Sequence, residues 1–125
     1  MKEFSRRKTF AAIIGAPILA ALPQTLSASV ETVTGPLIDL GCYENGRPAR
    51  EYTGIHARAC ALEGFFEGVL ASDGKVYQIV GSYTENANAK LLPFYMTRAV
   101  TVTGEVGQKD GRMTIAATEV KPVTR

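Results

Sequence analysis

The sequence predicts a small, mainly β domain, a five-stranded barrel with one short helix, preceded by an N-terminal signal helix. Three observations lead to this fold class. Short runs of β-branched residues recur along the chain, turn residues separate these runs, and a single segment after the leader has the composition of a helix. A chain of 125 residues has room for one such domain.

The leader has the three-part layout of a secretory signal peptide. A positive stretch precedes a run of about thirteen mostly apolar residues, Phe10 to Leu22, and then the small polar segment PQTLSASV. This run is shorter than the roughly 20 residues that a membrane-spanning helix needs. We predict cleavage after Ala28 or Ser29, which gives a signal peptide of residues 1–29, a domain of residues 30–125 and no transmembrane segment after cleavage.

The positive stretch contains two adjacent arginines, Arg6 and Arg7, in the segment SRRKTF. This segment resembles the twin-arginine signal, which routes folded bacterial proteins across the membrane. Phe10 stands one place later than in that pattern, so an ordinary Sec signal is the alternative. Both routes predict a periplasmic or secreted protein.

The charge balance argues against nucleic-acid binding. The whole chain has a formal charge of +2, but without the charged residues of the leader ten Lys and Arg stand against eleven Asp and Glu, a formal charge of −1. A domain near neutrality lacks the positive surface that holds a polyphosphate backbone.

The first strand is predicted in the segment SVETVTGPLIDLG. Pro36 has no N–H group for a central ladder, so we expect this strand to be bent, bulged or at an edge there. The long connection that follows contains Gly46, Pro48 and Gly54, which predict no regular structure for it.

The remaining elements follow from two hairpin signals and one helix signal. The segment EGVLASDGKVYQIVG predicts a hairpin with Gly74 in its turn. The segment TENANAKLLPF is the helix candidate, with Thr84 as N-cap and Pro93 as its stop. The segment RAVTVTGEVGQKDGRMTIAATEV predicts a second hairpin that turns at Asp110-Gly111, and a change of parity predicts a bulge near Ala116-Ala117.

The predicted order is strand, long connection, hairpin, short helix, hairpin. This is the order of the OB-fold, a five-stranded Greek-key barrel with its helix between the third and fourth strands. Gly35 and Gly104, inside strands, would let the sheet bend at barrel corners. An open α+β sandwich has a similar order of elements, and we favour the barrel.

Four segments, VTGPLIDLGCY, HARACA, GVLASDGKVYQIV and RAVTVTGEV, resemble a family of small exported bacterial OB-fold proteins. Its recurring elements include V-x-G-x-(V/L)-(V/I)-D-x-x-C-Y and C-A-x-x-C-A. The resemblance covers almost all of the mature chain, and it implies an exported OB-fold domain but no shared activity. His56 stands where the family often has a cysteine, whereas Cys42 and Cys60 stand at matching positions.

The two cysteines of the chain, Cys42 and Cys60, are predicted to form a disulfide that ties the long connection. Paired cysteines of an exported protein fold in an oxidising compartment, where they usually bond. Closing a loop of about 19 residues in this way would stabilise the domain by roughly 3 kcal/mol.

A metal site is the alternative to the disulfide. Cys42, His56 and Cys60 offer two thiolates and an imidazole, a ligand set that suits copper(I) or zinc. His56 and Cys60 are four residues apart and would face the same way on a helical turn. Asp39 and Glu63 offer oxygen ligands without being singled out by the sequence. A redox pair is a third alternative, although the spacing is not that of C-x-x-C.

The sequence predicts a binding or accessory module rather than an enzyme. It has one histidine and contains no G-x-S-x-G, phosphate-loop or H-E-x-x-H motif. By analogy with OB-folds, the candidate binding surface carries Tyr43, Tyr52, His56 and Phe65. The expected ligand is a protein or a small molecule of the cell envelope, and no cofactor is expected apart from the metal of the alternative. Glu63 and Glu67 could be paired carboxylates, but at loop or strand-edge positions we expect them to be solvated charges.

Overall fold

The computed structural model describes residues 29–123, and the predicted signal peptide, with Arg6 and Arg7, lies outside them except for Ser29. The described chain is mainly β, as predicted. Its elements, in chain order, are β1 (Ser29–Gly35), β2 (Leu37–Asp39), α1 (Leu40–Glu44), α2 (Ala49–Tyr52), α3 (Gly54–Leu62), β3 (Glu67–Leu70), β4 (Val76–Val80), α4 (Glu85–Asn88), β5 (Val100–Lys109) and β6 (Arg112–Pro122), with 3₁₀ turns at Ser82–Thr84 and Leu92–Phe94. None of the helices in this described part is long and apolar enough to cross a membrane.

The six strands form one sheet in the order β1-β5-β6-β4-β3-β2. Neighbouring strands are antiparallel, except that β4 and β6 are parallel. β1 and β2 therefore lie at opposite ends of the order, although Pro36 alone separates them along the chain. The interruption of the first strand at Pro36 is as predicted, because proline cannot donate to the ladder.

The end of β1 also contacts β3, which lies near the other end of the strand order. The Leu70 N–H donates a hydrogen bond to the carbonyl oxygen of Pro36, at 3.1 Å. Gly35 lies so close to the Leu70 carbonyl that a Cβ at position 35 would overlap with it. Glycine is therefore required at this point by the close approach of two backbones.

The two predicted hairpins are present, with their turns where the sequence places them. Gly74 has a φ of 88°, and Asp110 and Gly111 have φ values of 55° and 77°. The register of the last hairpin shifts between Thr103 and Gly104, which leaves Thr118 as the extra residue of β6. This bulge lies next to the predicted position, Ala116-Ala117.

The core lies between the sheet and α3. α3 contacts the sheet through two small side chains, Ala57 and Ala61, which are fully buried and allow the helix backbone to approach closely. The largest fully buried apolar side chains come from the strands and from the segments that follow them: Ile38, Leu40, Val69, Ile79, Leu91, Val100, Val102 and Ile115.

The long connection is not irregular, and that prediction was wrong. It contains the three helices α1, α2 and α3. Gly46 and Gly54 take positive φ values of 75° and 59° and stand at the breaks between these helices. The glycines and Pro48 thus delimit short helices, and tertiary packing stabilises helices that would be too short to persist alone.

The predicted helix between the two hairpins is also absent in its expected form. Asn86, Ala87 and Asn88 have φ values of 55°, 55° and 60°, which form a left-handed turn inside α4. The side chain of Asn88 is buried and donates to the carbonyl oxygens of Ala61 and Phe65, at 3.0 and 3.1 Å. These hydrogen bonds to the end of α3 and the residues beyond it outweigh the helix propensity of the segment.

Candidate functional site

Asp39 is the centre of the candidate site. It is the last residue of β2 and the N-cap of α1, and it is 2% exposed. Its Oδ2 accepts a hydrogen bond from the backbone N–H of Cys42, at 2.9 Å. This cap fixes the carboxylate and starts the helix that carries Cys42.

Cys60 reaches the same point from α3. The Sγ atoms of Cys42 and Cys60 and a carboxylate oxygen of Asp39 all lie within 4.8 Å of one another. Both thiols are half-buried and are not bonded to each other in the structure. The disulfide therefore remains a prediction, for which the fold brings the two sulfur atoms close together.

Glu67 lies directly behind Asp39. The two residues are opposite each other in the antiparallel pair of β2 and β3. Glu67 is fully buried, and the hydroxyl of Tyr95 donates to its Oε1 at 2.7 Å. The prediction that Glu67 is a solvated charge was wrong, because the alternation of β3 puts it on the inward face together with Val69.

Burial sets the protonation state of this carboxyl group. It raises the pKa of Glu67 to about 9, and the neighbouring Asp39 adds to the shift while the hydrogen bond from Tyr95 opposes it. Burial, followed by the charge of Glu67, raises the pKa of the Tyr95 hydroxyl. At neutral pH Glu67 is therefore protonated and can donate a hydrogen bond.

The thiols are also held in their protonated form. Burial and then Asp39 raise the pKa of Cys42, and burial followed by the charge of Asp39 raises the pKa of Cys60 to about 11. The thiolate is the nucleophile in thiol exchange. The raised pKa values of the two thiols therefore disfavour the thiolate form that this exchange requires.

A cavity of about 420 Å³ opens beside the two thiols. Phe65 and Phe66 lie on its wall with exposed fractions of 57% and 64%. Arg112, the first residue of β6, also lines it and forms a two-pronged ion pair with Glu44 of α1, at 2.7 and 3.0 Å. The cavity thus lies between the long connection and the start of the last strand.

The four predicted surface residues all lie in the connection between β2 and β3. Tyr43 and Tyr52 contact each other edge to face, with ring centroids 5.0 Å apart, and Phe65 lines the cavity. His56 is exposed on α3 and is not part of the group formed by the two thiols. The residue that the fold groups with the two thiols is thus Asp39. The ligand set of Cys42, His56 and Cys60 stays a prediction.

Two residues of the site that the sequence analysis did not single out, Asp39 and Glu67, stand in patterns that could have indicated their burial. Asp39 interrupts an apolar run between Ile38 and Leu40, where an acidic side chain must be buried. Glu67 stands two residues before Val69, on the same face of a strand. Arg112 has no such signal, because its ion pair joins residues 68 positions apart.

The function of this site has to follow from its own geometry, because no protein-family model, curated protein or solved structure matches the chain.

Proposed function

We propose that this chain is an exported binding or accessory module of the cell envelope, built on an OB-like barrel. The observation that carries the proposal is the cavity of about 420 Å³ between the β2–β3 connection and Arg112. OB-folds bind ligands beside the connection of their first two strands and that of their last two. In this chain the ion pair of Glu44 and Arg112 joins those two regions.

Strand pairing supports the barrel. If β1 and β2 are counted as one strand interrupted at Pro36, the sheet has five strands. That first strand pairs with β5 through its N-terminal part and with β3 through its C-terminal part, while β4 and β6 pair in parallel. The same pairings occur in OB barrels, and Gly35, which lies against Leu70, stands where the proposed barrel would close.

Export is supported by the leader and by the two thiols. The twin-arginine-like segment, the apolar run and the small residues before Val30 form a signal peptide in sequence terms. In an oxidising compartment we propose that Cys42 and Cys60 form the disulfide, which would tie α1 to α3 beside the cavity. Their sulfur atoms, within 4.8 Å, need only side-chain rotation and a small backbone shift to reach bonding distance, about 2 Å.

Binding is preferred over catalysis because the site lacks an activated nucleophile. Both thiols and Glu67 are protonated at neutral pH. The exposed rings of Phe65 and Phe66 at the cavity provide apolar contact area, as aromatic side chains do at interfaces. The proposed ligand is a protein or a small molecule of the envelope that covers these rings.

Site-specific photo-crosslinking in the exported protein tests this proposal. A photoreactive residue at position 66 should give a discrete adduct in the envelope. The same residue at Met96, which is 70% exposed and does not line the cavity, is the matched control and should give none. Equal adducts from both positions, or none from position 66, would contradict a binding face at the cavity.

A further inference from the structure

In their reduced form the two thiols could bind a metal ion instead of each other. We propose that Cys42, Cys60 and Asp39 form a zinc site with one position open to the cavity. The inference goes beyond the proposed binding module and does not depend on its ligand. It concerns the dithiol form alone, because the disulfide would consume both sulfur ligands.

The three ligand atoms lie close to the spacing that one ion needs. In a tetrahedral site zinc lies about 2.3 Å from a thiolate sulfur and about 2.0–2.2 Å from a carboxylate oxygen, which puts its ligand atoms about 3.6–3.8 Å from one another. In this structure the two sulfur atoms and the Asp39 oxygen lie within 4.8 Å of one another. Small side-chain rotations are enough to bring all three to bonding distance.

Asp39 has the features of a ligand that is held in place. Its exposed fraction is only 2%, and its Oδ2 already accepts the Cys42 N–H. Within residues 29–123, its Oδ1 has no hydrogen-bond partner. A buried carboxylate oxygen without a partner is costly unless it is paired or coordinates a metal. Zinc bound by this carboxylate would lower the cost of burying its charge.

A second layer of residues supports this carboxylate. Glu67 lies opposite Asp39 across the β2–β3 pair, and Tyr95 donates to Glu67 from the far side. Hydrogen-bonded groups behind a ligand fix its orientation and contribute to metal affinity. Glu67 and Tyr95 thus form a buried, hydrogen-bonded pair next to the Asp39 carboxylate.

The ligand types select zinc over copper(I). Copper(I) prefers soft sulfur ligands alone, whereas zinc accepts thiolates together with a carboxylate. All three residues line the cavity, which leaves a fourth position for water or for a donor atom of another molecule. Binding replaces the two thiol protons by the metal, so two protons leave for each zinc ion that binds.

Titration of reduced, metal-free protein with Zn²⁺ against a chromophoric chelator tests the site. We expect one equivalent to bind. Cys42→Ser and Cys60→Ser should each weaken binding on the order of 100-fold, and Asp39→Asn, which keeps an N-cap, by about tenfold or more. His56→Ala is the matched control. His56 is the one histidine of the chain and is not part of the group formed by Asp39 and the two thiols, so its replacement should not change the zinc affinity.

Two measurements on the wild-type chain do not depend on how a variant folds. Co²⁺ should give a thiolate-to-metal charge-transfer band, and Zn²⁺ should protect both cysteines from alkylation. Zinc bound with full affinity by Cys60→Ser, affinity lost in His56→Ala, or no zinc bound by the reduced wild type would overturn the proposal. A crosslink from position 66 in the oxidised protein would be unaffected by that result, so the two proposals fail separately.

Discussion

Asp39 and Glu67 face each other across the β2–β3 pair with exposed fractions of 2% and 0%. Each has one oxygen, Oδ1 and Oε2 respectively, without a hydrogen-bond partner in the part of the chain that the structure describes. A proton on Glu67 that is donated to Asp39 supplies a partner to both. Two buried carboxyl groups side by side hold one negative charge more readily than two.

The stability of the reduced, metal-free protein should fall as the pH rises. The pKa of Glu67 is about 9 in the folded protein, above its ordinary value of 4.5. Between these two values the folded protein keeps a proton that the unfolded chain releases, so stability is full below the lower value and is lost as the pH approaches the higher one. Urea unfolding between about pH 6 and pH 8 measures this slope.

Glu67→Gln should flatten that pH dependence, because the amide can donate to Asp39 and accept from Tyr95 without titrating. Glu63→Gln, at an exposed position four residues earlier, is the control and should keep the wild-type slope. A Glu67→Gln variant with an unchanged slope would show that another group titrates in this range.

Gly35→Ala should destabilise the domain by about 1–3 kcal/mol, because its Cβ would overlap with the Leu70 carbonyl. Gly107→Ala is the matched control. Its Cβ would lie 3.5 Å from Thr114 Oγ1, an ordinary contact, so its cost should be small. Thermal unfolding measures the stability of both variants. Similar losses of stability in the two would argue against the close approach of β1 and β3.

Asn88→Ala should cost about 1–3 kcal/mol, because it removes the two hydrogen bonds to the carbonyl groups of Ala61 and Phe65. Asn86→Ala tests the backbone alone, since Asn86 has nearly the same positive φ and is exposed. The difference between the free energies of unfolding of the two variants, measured in denaturant, gives the contribution of the two hydrogen bonds to stability. No difference would mean that the left-handed turn, and not the side chain, is what Asn88 supplies.

Cys60→Ser should lower the free energy of unfolding of the air-oxidised protein by up to about 3 kcal/mol, through loss of the proposed disulfide. In reductant the same substitution should have little effect. Thiol titration before and after reduction accompanies the measurement. Equal losses of stability under both conditions would contradict the proposed disulfide and would indicate that Cys60 contributes by packing.

Replacement of Arg6 and Arg7 by lysine should keep the precursor in the cytoplasm if the leader uses the twin-arginine route. Cell fractionation and the length of the exported chain measure this. Replacement of the exposed Arg50, in the folded part, is the control and should leave export unchanged. Continued export of the variant with two lysines in its leader would favour the Sec route.

The sequence by itself determined the mainly β class, the break at Pro36, both hairpin turns and the bulge in β6. These features are local: a missing N–H group, a glycine at positive φ, or the parity of apolar residues along one strand. The order of these elements along the chain also placed Cys42 and Cys60 in the connection where the candidate site lies.

Tertiary structure alone decided which residues meet. The left-handed turn at Asn86–Asn88 exists because Asn88 finds carbonyl groups 23 and 27 residues away. Asp39, three residues before Cys42, lies beside both thiols because it caps α1 and because the packing of α3 brings Cys60 to the same point. Burial then sets the protonation of Glu67, and burial is a property of the assembled sheet and helices that no single stretch of sequence contains.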